Sequence, residues 1–491
     1  MKTFNLRRTA LLWLPALALA SILSFASCGD DVTNNNNYYI QEPEAPPTEE
    51  EPQPSHPEGE WMERVYSLCD YGFFLESPTL YPAWLLQAEG VKRYYADSPF
   101  AQKYITDDLL MALRNPGAGT RITLRMEASD ICHASEYSYT VPQEETGEML
   151  LLQIPVDWDY NALLAWNTDR LVKLKWTLLL DGQEVDRHTE QFNCRSLRCH
   201  TFIYYFDKSI LEYGAFIDEL KKIGIGSYPI KEDDKYLLVY NDGFLMGYID
   251  EQSPLIDRLK DSVIRDGIMP YLPGLFSISF EEMVESSAKS FCYLLLKHRV
   301  AYSARHSDEV QYIRTIDELF ANRQAYCAEF ALAFASWCMN QGVPCMLVSV
   351  PGHMTNTVYS GDQVCAADMT YCGSYYTYLQ PFANPPTAED REDFLWLYSG
   401  IMEASNLDYE NVYLPALQAG DAEYCLFDPA PLRRFLPSFA IGERYAATRT
   451  AAPAKAIKPV KSGLWKKAIE GELTLPQPAP ASEFTKPKPR I

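Results

Sequence analysis

Residues 322–371 read NRQAYCAEFALAFASWCMNQGVPCMLVSVPGHMTNTVYSGDQVCAADMTY, which is the most informative part of the sequence. The run 325–340 is apolar on nearly all sides, which predicts a buried helix that ends at Gly342 and Pro344. Cys327 therefore lies in the first turn of this helix. There, the positive end of the helix dipole and the free backbone N–H groups favour a thiolate and are suited to stabilising an oxyanion.

Two strands are predicted after this helix. Residues 345–350 form an apolar run typical of a buried strand, and Pro351-Gly352 interrupts it. His353 then begins a second strand that continues to Tyr359. The sequence thus predicts a helix followed by a hairpin-like strand pair, with the thiol at the start of the helix and an imidazole at the start of the second strand.

A two-residue Ser-Gly turn after Tyr359 leaves two registers open for the next strand, in which Tyr359 faces either Val364 or Asp362. The tighter register, with Asp362, also pairs His353 with Asp368 on one face of the sheet. A carboxylate placed there holds an imidazole N–H and fixes its tautomer. A slip by one residue would separate the two side chains, because neighbouring residues of a strand face opposite sides.

The order Cys327, His353, Asp368 on helix, strand and next strand resembles the core of transglutaminase-like proteins, which are related to papain-type cysteine peptidases. Four motifs within residues 248–371 also resemble a Bacteroidetes lipoprotein branch of that superfamily: KHRVAYS at 297–303, QYIR at 311–314, QAYC at 324–327 and VPGH at 350–353. The resemblance implies that Cys327 is the nucleophile, His353 the general base and acid, and Asp368 the residue that orients the imidazole. The chain departs from many such cores in carrying Ala325-Tyr326 before the cysteine where they have Gly-Val.

Several side chains have alternative interpretations. Gln311 and Gln324 are candidate side-chain donors to an oxyanion, with Tyr302 as a weaker candidate, and each of the three is also compatible with a purely structural role. Asp428, in an Asp-Pro pair, is the second-choice carboxylate for His353. Glu329, in the first turns of the helix, is suited to complementing the dipole.

The cysteines leave similar choices open. The chain has 12 cysteines, and a cysteine in an exported protein is by default half of a disulfide. Cys194 with Cys199 and Cys365 with Cys372 are candidate local bridges. A zinc site is disfavoured because no C-x-x-C spacing occurs among the four cysteines Cys338, Cys345, Cys365 and Cys372. We expect no metal and no cofactor.

The N-terminus carries an export signal. Residues 1–27 combine basic residues, an apolar run and small residues, and Cys28 follows directly. This arrangement resembles the lipobox of bacterial lipoproteins, which implies that Cys28 is lipidated. We expect the protein at the bacterial outer membrane, on its periplasmic or cell-surface face, with the lipid as its only membrane contact. The net charge of -23 disfavours nucleic acid as a partner.

The remaining chain divides by composition into four segments, and the predicted fold class is α+β. Residues 28–60 form an acidic tether rich in Pro, Glu and Asn, and residues 448–491 a basic tail rich in Ala, Pro and Lys that is expected to be disordered. Residues 61–200 are predicted to form an immunoglobulin-like β-sandwich, because β-rich runs recur there at 121–126, 148–155, 171–180 and 184–194. Residues 201–447 are predicted to form the transglutaminase-like domain, with further helices at 210–223, 254–265 and 280–298.

These features favour a lipid-anchored thiol enzyme that cleaves or transfers peptide or amide acyl groups, as a cysteine peptidase, amidase or acyltransferase. Its partner would be a peptide or protein substrate. The alternative is a catalytically inactive surface lipoprotein that binds a glycan or a protein, for which 33 tyrosines and 9 tryptophans offer aromatic surface.

Overall fold

The computed structural model describes residues 61–67, 79–94, 96–97, 106–199, 201–205, 225–229, 236–269, 279–303, 312–421, 424–440 and 455–459. The predicted signal, the lipidation site Cys28, the tether, the predicted helix 210–223 and the oxyanion candidate Gln311 lie outside these residues. Within them the chain is an α+β protein. No helix in these ranges has the length and apolar composition that crossing a membrane requires.

The strands, numbered along the chain, are β1 Met62–Ser67, β2 Thr79–Leu80, β3 Leu109–Arg114, β4 Arg121–Met126, β5 Ser135–Thr140, β6 Met149–Ile154, β7 Arg170–Leu180, β8 Gln183–Cys194, β9 Thr201–Tyr205, β10 Ile225–Pro229, β11 Tyr236–Asn241, β12 Ala301–Tyr302, β13 Gln324–Ala325, β14 Cys345–Val350, β15 His353–Ser360, β16 Gln363–Ala366, β17 Cys425–Phe427 and β18 Lys458–Pro459. The α-helices are α1 Pro82–Tyr94, α2 Tyr160–Leu164, α3 Pro254–Arg265, α4 Phe280–Val284, α5 Ser290–Lys297, α6 Ile316–Asn322, α7 Cys327–Asn340, α8 Thr370–Tyr375, α9 Ala388–Asp408, α10 Leu414–Gln418 and α11 Pro429–Leu432. Two π-helical segments, Glu285–Lys289 and Tyr409–Tyr413, and two 3₁₀ segments, Asp242–Tyr248 and Tyr376–Tyr378, complete the described elements.

The N-terminal part contains two larger sheets. One has the order β2-β8-β7-β4-β5 and the other β1-β3-β6-β18. The predicted runs coincide with β4, β6, β7 and β8, and the Asp181-Gly182 turn joins β7 to β8 with positive φ at both residues, 48° and 86°. This is the backbone geometry that a two-residue hairpin turn requires, and an Asp-Gly pair adopts it readily. Every second residue of β7 between Val172 and Leu178 is buried, so one face of its sheet packs into the core.

Part of the basic tail belongs to this region. Strand β18, inside the tail predicted to be disordered, pairs antiparallel with β6 and places Lys458 opposite Gln153. Lys455 donates to the Val156 carbonyl at 2.5 Å. The prediction of disorder is therefore wrong for residues 455–459, because backbone pairing and this hydrogen bond hold a segment whose composition alone indicated a mobile chain.

The C-terminal part is built around helix α7 and the sheet β16-β15-β14-β17. Every residue from Ala328 to Cys338 on α7 is buried, as its apolar sequence predicts. The helix packs on β14 and β15, and Asn356 of β15 donates to the Ala331 carbonyl of the helix at 3.2 Å. The predicted strand 345–350 coincides with β14, and the predicted helix 254–265 coincides with α3, whose N-cap is Ser253.

Two boundaries differ from the sequence prediction around the candidate nucleophile. Helix α7 begins at Cys327 rather than at residue 325, because Gln324 and Ala325 extend as β13 and pair in parallel with β12. Arg323 makes the chain reversal that this requires, with φ of 53° after α6. Cys327 is therefore the first residue of its helix. Its side chain lies next to the backbone N–H groups of the first turn, which have no acceptor within the helix.

Of the two strand registers that the sequence leaves open, the wider one is formed, and the tighter one, which would pair His353 with Asp368, is wrong. Tyr359 pairs with Val364, not with Asp362, and Ser360 pairs with Gln363, so that Gly361-Asp362 forms the turn. Gly361 has φ of 58°, the left-handed conformation that glycine adopts without strain. The register differs by two residues, an even number, so each strand still presents the same side chains to the same face. Strand β16 ends at Ala366, before it can bring Asp368 directly opposite His353.

The segment that precedes the nucleophile helix is anchored on the N-terminal part of the chain. Tyr312 forms an isolated bridge with Cys199, and the Ile313 N–H donates to the Arg198 carbonyl at 2.9 Å. The Tyr312 hydroxyl donates to Asp169 at 2.7 Å, and Asp169 also accepts from Arg195 at 2.8 Å and from the Ser196 N–H at 2.7 Å. One carboxylate thus joins the two parts of the chain close to the start of α6 and α7.

We expect Asp169→Ala to lower the free energy of unfolding by about 1–3 kcal/mol, because it leaves three donors without their acceptor in a partly buried site. Urea unfolding followed by tryptophan fluorescence measures the change. The matched control is Asp261→Ala on the exposed face of α3. Equal unfolding midpoints for the two variants would contradict the anchoring role.

Candidate active site

Cys327 occupies the first position of α7, and its side chain is partly accessible to solvent. The first intrahelical hydrogen bond of α7 runs from the Phe330 N–H to the Tyr326 carbonyl at 3.0 Å. The N–H groups of Cys327 and Ala328 precede this bond and are directed out of the helix end beside the thiol. The helix start therefore offers donors to an anion that forms at a carbonyl attacked by Cys327.

The chain enters the helix through contacts of a buried carboxylate. Glu329 is fully buried and accepts hydrogen bonds from the Tyr326 N–H at 3.1 Å and from the Arg314 N–H at 2.8 Å. The Arg314 guanidinium lies 3.6 Å from the same carboxylate and donates to the Gln324 carbonyl at 2.8 Å. Glu329 thus does more than complement the helix dipole, because it ties residues 314 and 326 to the first turn that carries Cys327.

His353 and Asp368 form a direct contact despite the register difference. The distance from His353 Nε2 to Asp368 Oδ2 is 2.7 Å. The second oxygen, Asp368 Oδ1, accepts from the N–H and the hydroxyl of Thr370 at 2.9 and 2.5 Å. The carboxylate is almost fully buried, and the imidazole keeps 17% of its side-chain surface exposed. The Asp368 carboxylate therefore has three hydrogen-bonding partner atoms in Thr370 and His353, and the His353 ring is partly exposed to solvent.

The Cys327 thiol is a neighbour of His353 and raises the pKa of its imidazole. Burial lowers the pKa of His353, but the Asp368 carboxylate and Cys327 raise it by more, so the pKa of His353 lies well above its ordinary value. Since Nε2 is occupied by Asp368, Nδ1 is the ring nitrogen left to face the thiol. The three residues singled out from the sequence are thus brought together in the order thiol, imidazole, carboxylate.

The Asp368 carboxyl is stabilised in its charged form. Burial raises its pKa, whereas His353 and the Thr370 donors lower it, and the net pKa shift of Asp368 is downward. An ionised Asp368 beside a histidine of raised pKa favours the protonated imidazole.

The C-terminal end of α9 positions Asp368, and sequence reasoning did not identify it. Ser405 accepts from the Asp368 N–H at 3.0 Å, and Asn406 Oδ1 accepts from the Ala366 N–H at 2.9 Å. The Ala367 N–H donates to the Asn356 carbonyl at 2.9 Å. These bonds replace the strand pairing that ends at Ala366 and direct the chain so that Asp368 reaches the histidine.

A second group of polar side chains, Tyr371, Asp408 and Tyr413, lies near Asp368. The Tyr371 hydroxyl donates to Asp408, the last residue of α9. Burial raises the pKa of Asp408, and the nearby charge of Asp368 raises it further. Tyr413, in the π-helical segment that follows α9, has a pKa raised by burial and then by the charges of Asp368 and Asp408, with a smaller contribution from Cys327. π-Helical turns are frequent at functional sites, but no local pattern in the sequence marks this one.

The other candidates lie elsewhere. Gln324 is on the exposed side of β13, and Tyr302 is half-buried and stacks on Phe330 with ring centroids 6.4 Å apart. Asp428 caps α11 through the Ala430 N–H at 3.0 Å and accepts from the Tyr359 hydroxyl at 2.6 Å. The bond to Asp428 raises the pKa of Tyr359 to about 12. Asp368, and not Asp428, is therefore the carboxylate that contacts His353.

The ten cysteines in the described ranges form no disulfide in this structure, so neither candidate local bridge, 194–199 or 365–372, is present. The sulfur neighbour of Cys372 is Cys292, at 3.1 Å, and Cys365 contacts the Asn406 amide at 3.6 Å instead. Within the described part of the chain, no three His, Cys, Asp or Glu side chains converge as a metal site would require, and Cys338, Cys345, Cys365 and Cys372 all lie in that part.

Comparisons with known proteins add nothing to this geometry. No protein-family model matches the chain, and no curated protein matches it significantly.

Proposed function

We propose that this chain is a thiol enzyme of transglutaminase-like type that cleaves or transfers peptide or amide acyl groups. The observation that carries the proposal is the grouping of a partly exposed Cys327 at a helix start with His353, whose Nε2 lies 2.7 Å from the buried Asp368. Three features required of an activated cysteine nucleophile are thereby present: access, an adjacent base and an orienting group.

The reaction would proceed in two steps. The Cys327 thiolate attacks the amide carbonyl carbon, and the N–H groups at the start of α7 bind the oxyanion. His353 donates its proton to the leaving nitrogen as the C–N bond breaks, which leaves a thioester on the sulfur. Water or a second amine then attacks the thioester while His353 accepts its proton. The acid or new amide is released, the thiolate forms again, and His353 is again protonated.

Asp368 acts in both steps without exchanging a proton. Its low pKa keeps it charged, so it stabilises the imidazolium and fixes Nε2, which leaves Nδ1 for the proton transfers. The acidic net charge of -23 suits a cationic peptide or protein substrate.

The finer fold assignments form part of the same proposal. We infer an immunoglobulin-like sandwich from the two N-terminal sheets, and a transglutaminase-like domain from the order α7, β14, β15, β16 with the three site residues on it. The lipid anchor at Cys28, and with it a place on the periplasmic or cell-surface face of a bacterial outer membrane, rests on the sequence of residues 1–31. The alternative, an inactive lipoprotein that binds a glycan or protein, predicts ligand binding that survives Cys327→Ala.

We expect a fluorescent iodoacetamide probe, at limiting concentration, to label Cys327 before Cys365. Both side chains are partly exposed, but burial raises the pKa of the Cys365 thiol, whereas Cys327 has His353 beside it. Labelling should be lost in Cys327→Ala, retained in Cys365→Ala and slowed at least about tenfold in His353→Ala. Peptide mass spectrometry locates the probe. Preferential labelling of Cys365 would refute an activated Cys327.

We expect the imidazole of His353 to titrate above pH 6.5 and its midpoint to move to lower pH in Asp368→Asn. The protonated imidazole is present below the raised pKa and is lost as the pH rises through that pKa. Histidine-selective ¹³C NMR follows the titration, with His353→Gln identifying the resonance. A midpoint that is unchanged by Asp368→Asn would show that the carboxylate does not control the histidine.

We expect the wild-type protein to cleave members of a mixed peptide library, or to attach a fluorescent primary amine to them, and Cys327→Ala to do neither. Cys365→Ala is the matched control and should retain the activity. Mass spectrometry of the library before and after incubation reads out both reactions. Activity that persists in Cys327→Ala would contradict the proposed nucleophile, and an inactive but probe-reactive wild type would favour the binding alternative.

A further inference from the structure

Two buried cysteines, distant in sequence, meet next to the candidate active site. Cys292 lies on α5 and Cys372 on α8, and both are fully buried. Their sulfur atoms are 3.1 Å apart although the residues are separated by 80 positions. This separation exceeds the length of a disulfide bond, about 2.05 Å, by only about 1 Å, so a small adjustment of the two side chains would join them.

We propose that Cys292 and Cys372, which this structure shows as two unbonded thiols, are joined by a disulfide bond in the mature protein. The two thiols together lose two protons and two electrons, and a disulfide oxidant such as oxidised glutathione or a disulfide-bonded oxidoreductase takes up both and is reduced to two thiols. The inference rests on the export part of the proposed function, because exported chains fold in an oxidising compartment. It does not depend on catalysis.

The surroundings of Cys372 hold it against Cys292. A Cβ atom on the neighbouring Gly373 would lie 2.7 Å from the Phe330 ring and 2.7 Å from the Tyr302 backbone nitrogen. Helix α8 therefore packs closely against α7 and β12, with no room for a side chain at residue 373. Helix α8 also packs on α5. Burial, followed by the contact with Cys292, raises the pKa of the Cys372 thiol well above its ordinary value. A reduced pair in the folded protein is therefore unreactive, and the bond would form during folding, while the thiols are still accessible.

The bond would close the segment that carries the whole candidate site. Cys327, His353 and Asp368 all lie between residues 292 and 372. Helix α8 begins with Thr370, which donates two hydrogen bonds to Asp368 at 2.9 and 2.5 Å. A covalent link at Cys372 thus fixes the helix that holds the orienting carboxylate, and it restricts the unfolded chain by closing a long loop.

The test uses the full chain expressed with its own signal and recovered after export. The protein is denatured without reductant, alkylated and digested, and the peptides are mapped by mass spectrometry. We expect the Cys292 peptide to be linked to the Cys372 peptide in the wild type and in the control Cys365→Ala. Alkylation of both residues without prior reduction, or linkage of either to another cysteine, would overturn the proposal.

Thermal unfolding gives a second readout. Tm is measured with and without reductant in the wild type and in Cys292→Ala. The decrease in Tm caused by reductant should be larger in the wild type by about 5 °C or more, because only the wild type has this disulfide to lose. An equal response in both proteins would contradict a stabilising bond. Probe labelling of Cys327 in the same preparation reports separately on the proposed enzyme. A linked pair with an unreactive Cys327 would therefore uphold this inference and defeat the proposed function.

Discussion

The 2.7 Å hydrogen bond between His353 and Asp368 is the contact on which the candidate site depends. It places a buried carboxylate against a partly exposed imidazole, whose pKa is raised by that carboxylate and by Cys327. A charged carboxylate in a site of low polarity must be held by donors, because an unpaired buried charge is strongly destabilising. Here Thr370 and His353 supply those donors, and the neighbouring backbone is fixed from two sides.

Three elements build the candidate site around that contact. Strand β15 presents His353 at its first residue, and α9 holds the backbone of Ala366 and Asp368 through Asn406 and Ser405. Helix α7 contributes the thiol, and its start is fixed by Glu329, which binds the segment around Arg314. That segment is in turn joined to the N-terminal part of the chain through Tyr312 and Asp169. A connected series of hydrogen bonds therefore extends from the N-terminal sheets to the nucleophile helix.

The sequence predicts those parts of the fold that depend on local patterns. Strand β14, helix α3 and the β7–β8 hairpin have their periodicity, caps and turn residues within a few positions of one another. The three candidate residues could also be found, because thiol, imidazole and carboxylate follow one another in a single stretch of sequence. The sequence left two strand registers open. The one that forms, with its turn at Gly361-Asp362, differs from the tighter one by two residues, and this even shift preserves the face of each side chain.

The remainder depends on contacts between residues far apart in the chain. Ser405 and Asn406 lie on a long helix whose sequence carries no sign that its last turn supports a carboxylate 37 positions away, and Cys292 meets Cys372 across 80 positions. Composition also failed for residues 455–459, because strand pairing outweighed a basic, proline-rich sequence. Such contacts are set by how the helices and sheets pack, which no local pattern records.

If Cys327 forms a thioester with help from His353 and Asp368, intact-protein mass spectrometry after acid quenching detects it. The protein is mixed with an activated acyl ester, p-nitrophenyl acetate, and the modified peptide is identified after digestion. We expect one acetyl group on Cys327 in the wild type and none on that peptide in Cys327→Ala. Acetylation confined to other residues, or no acetylation of the wild type, would contradict it.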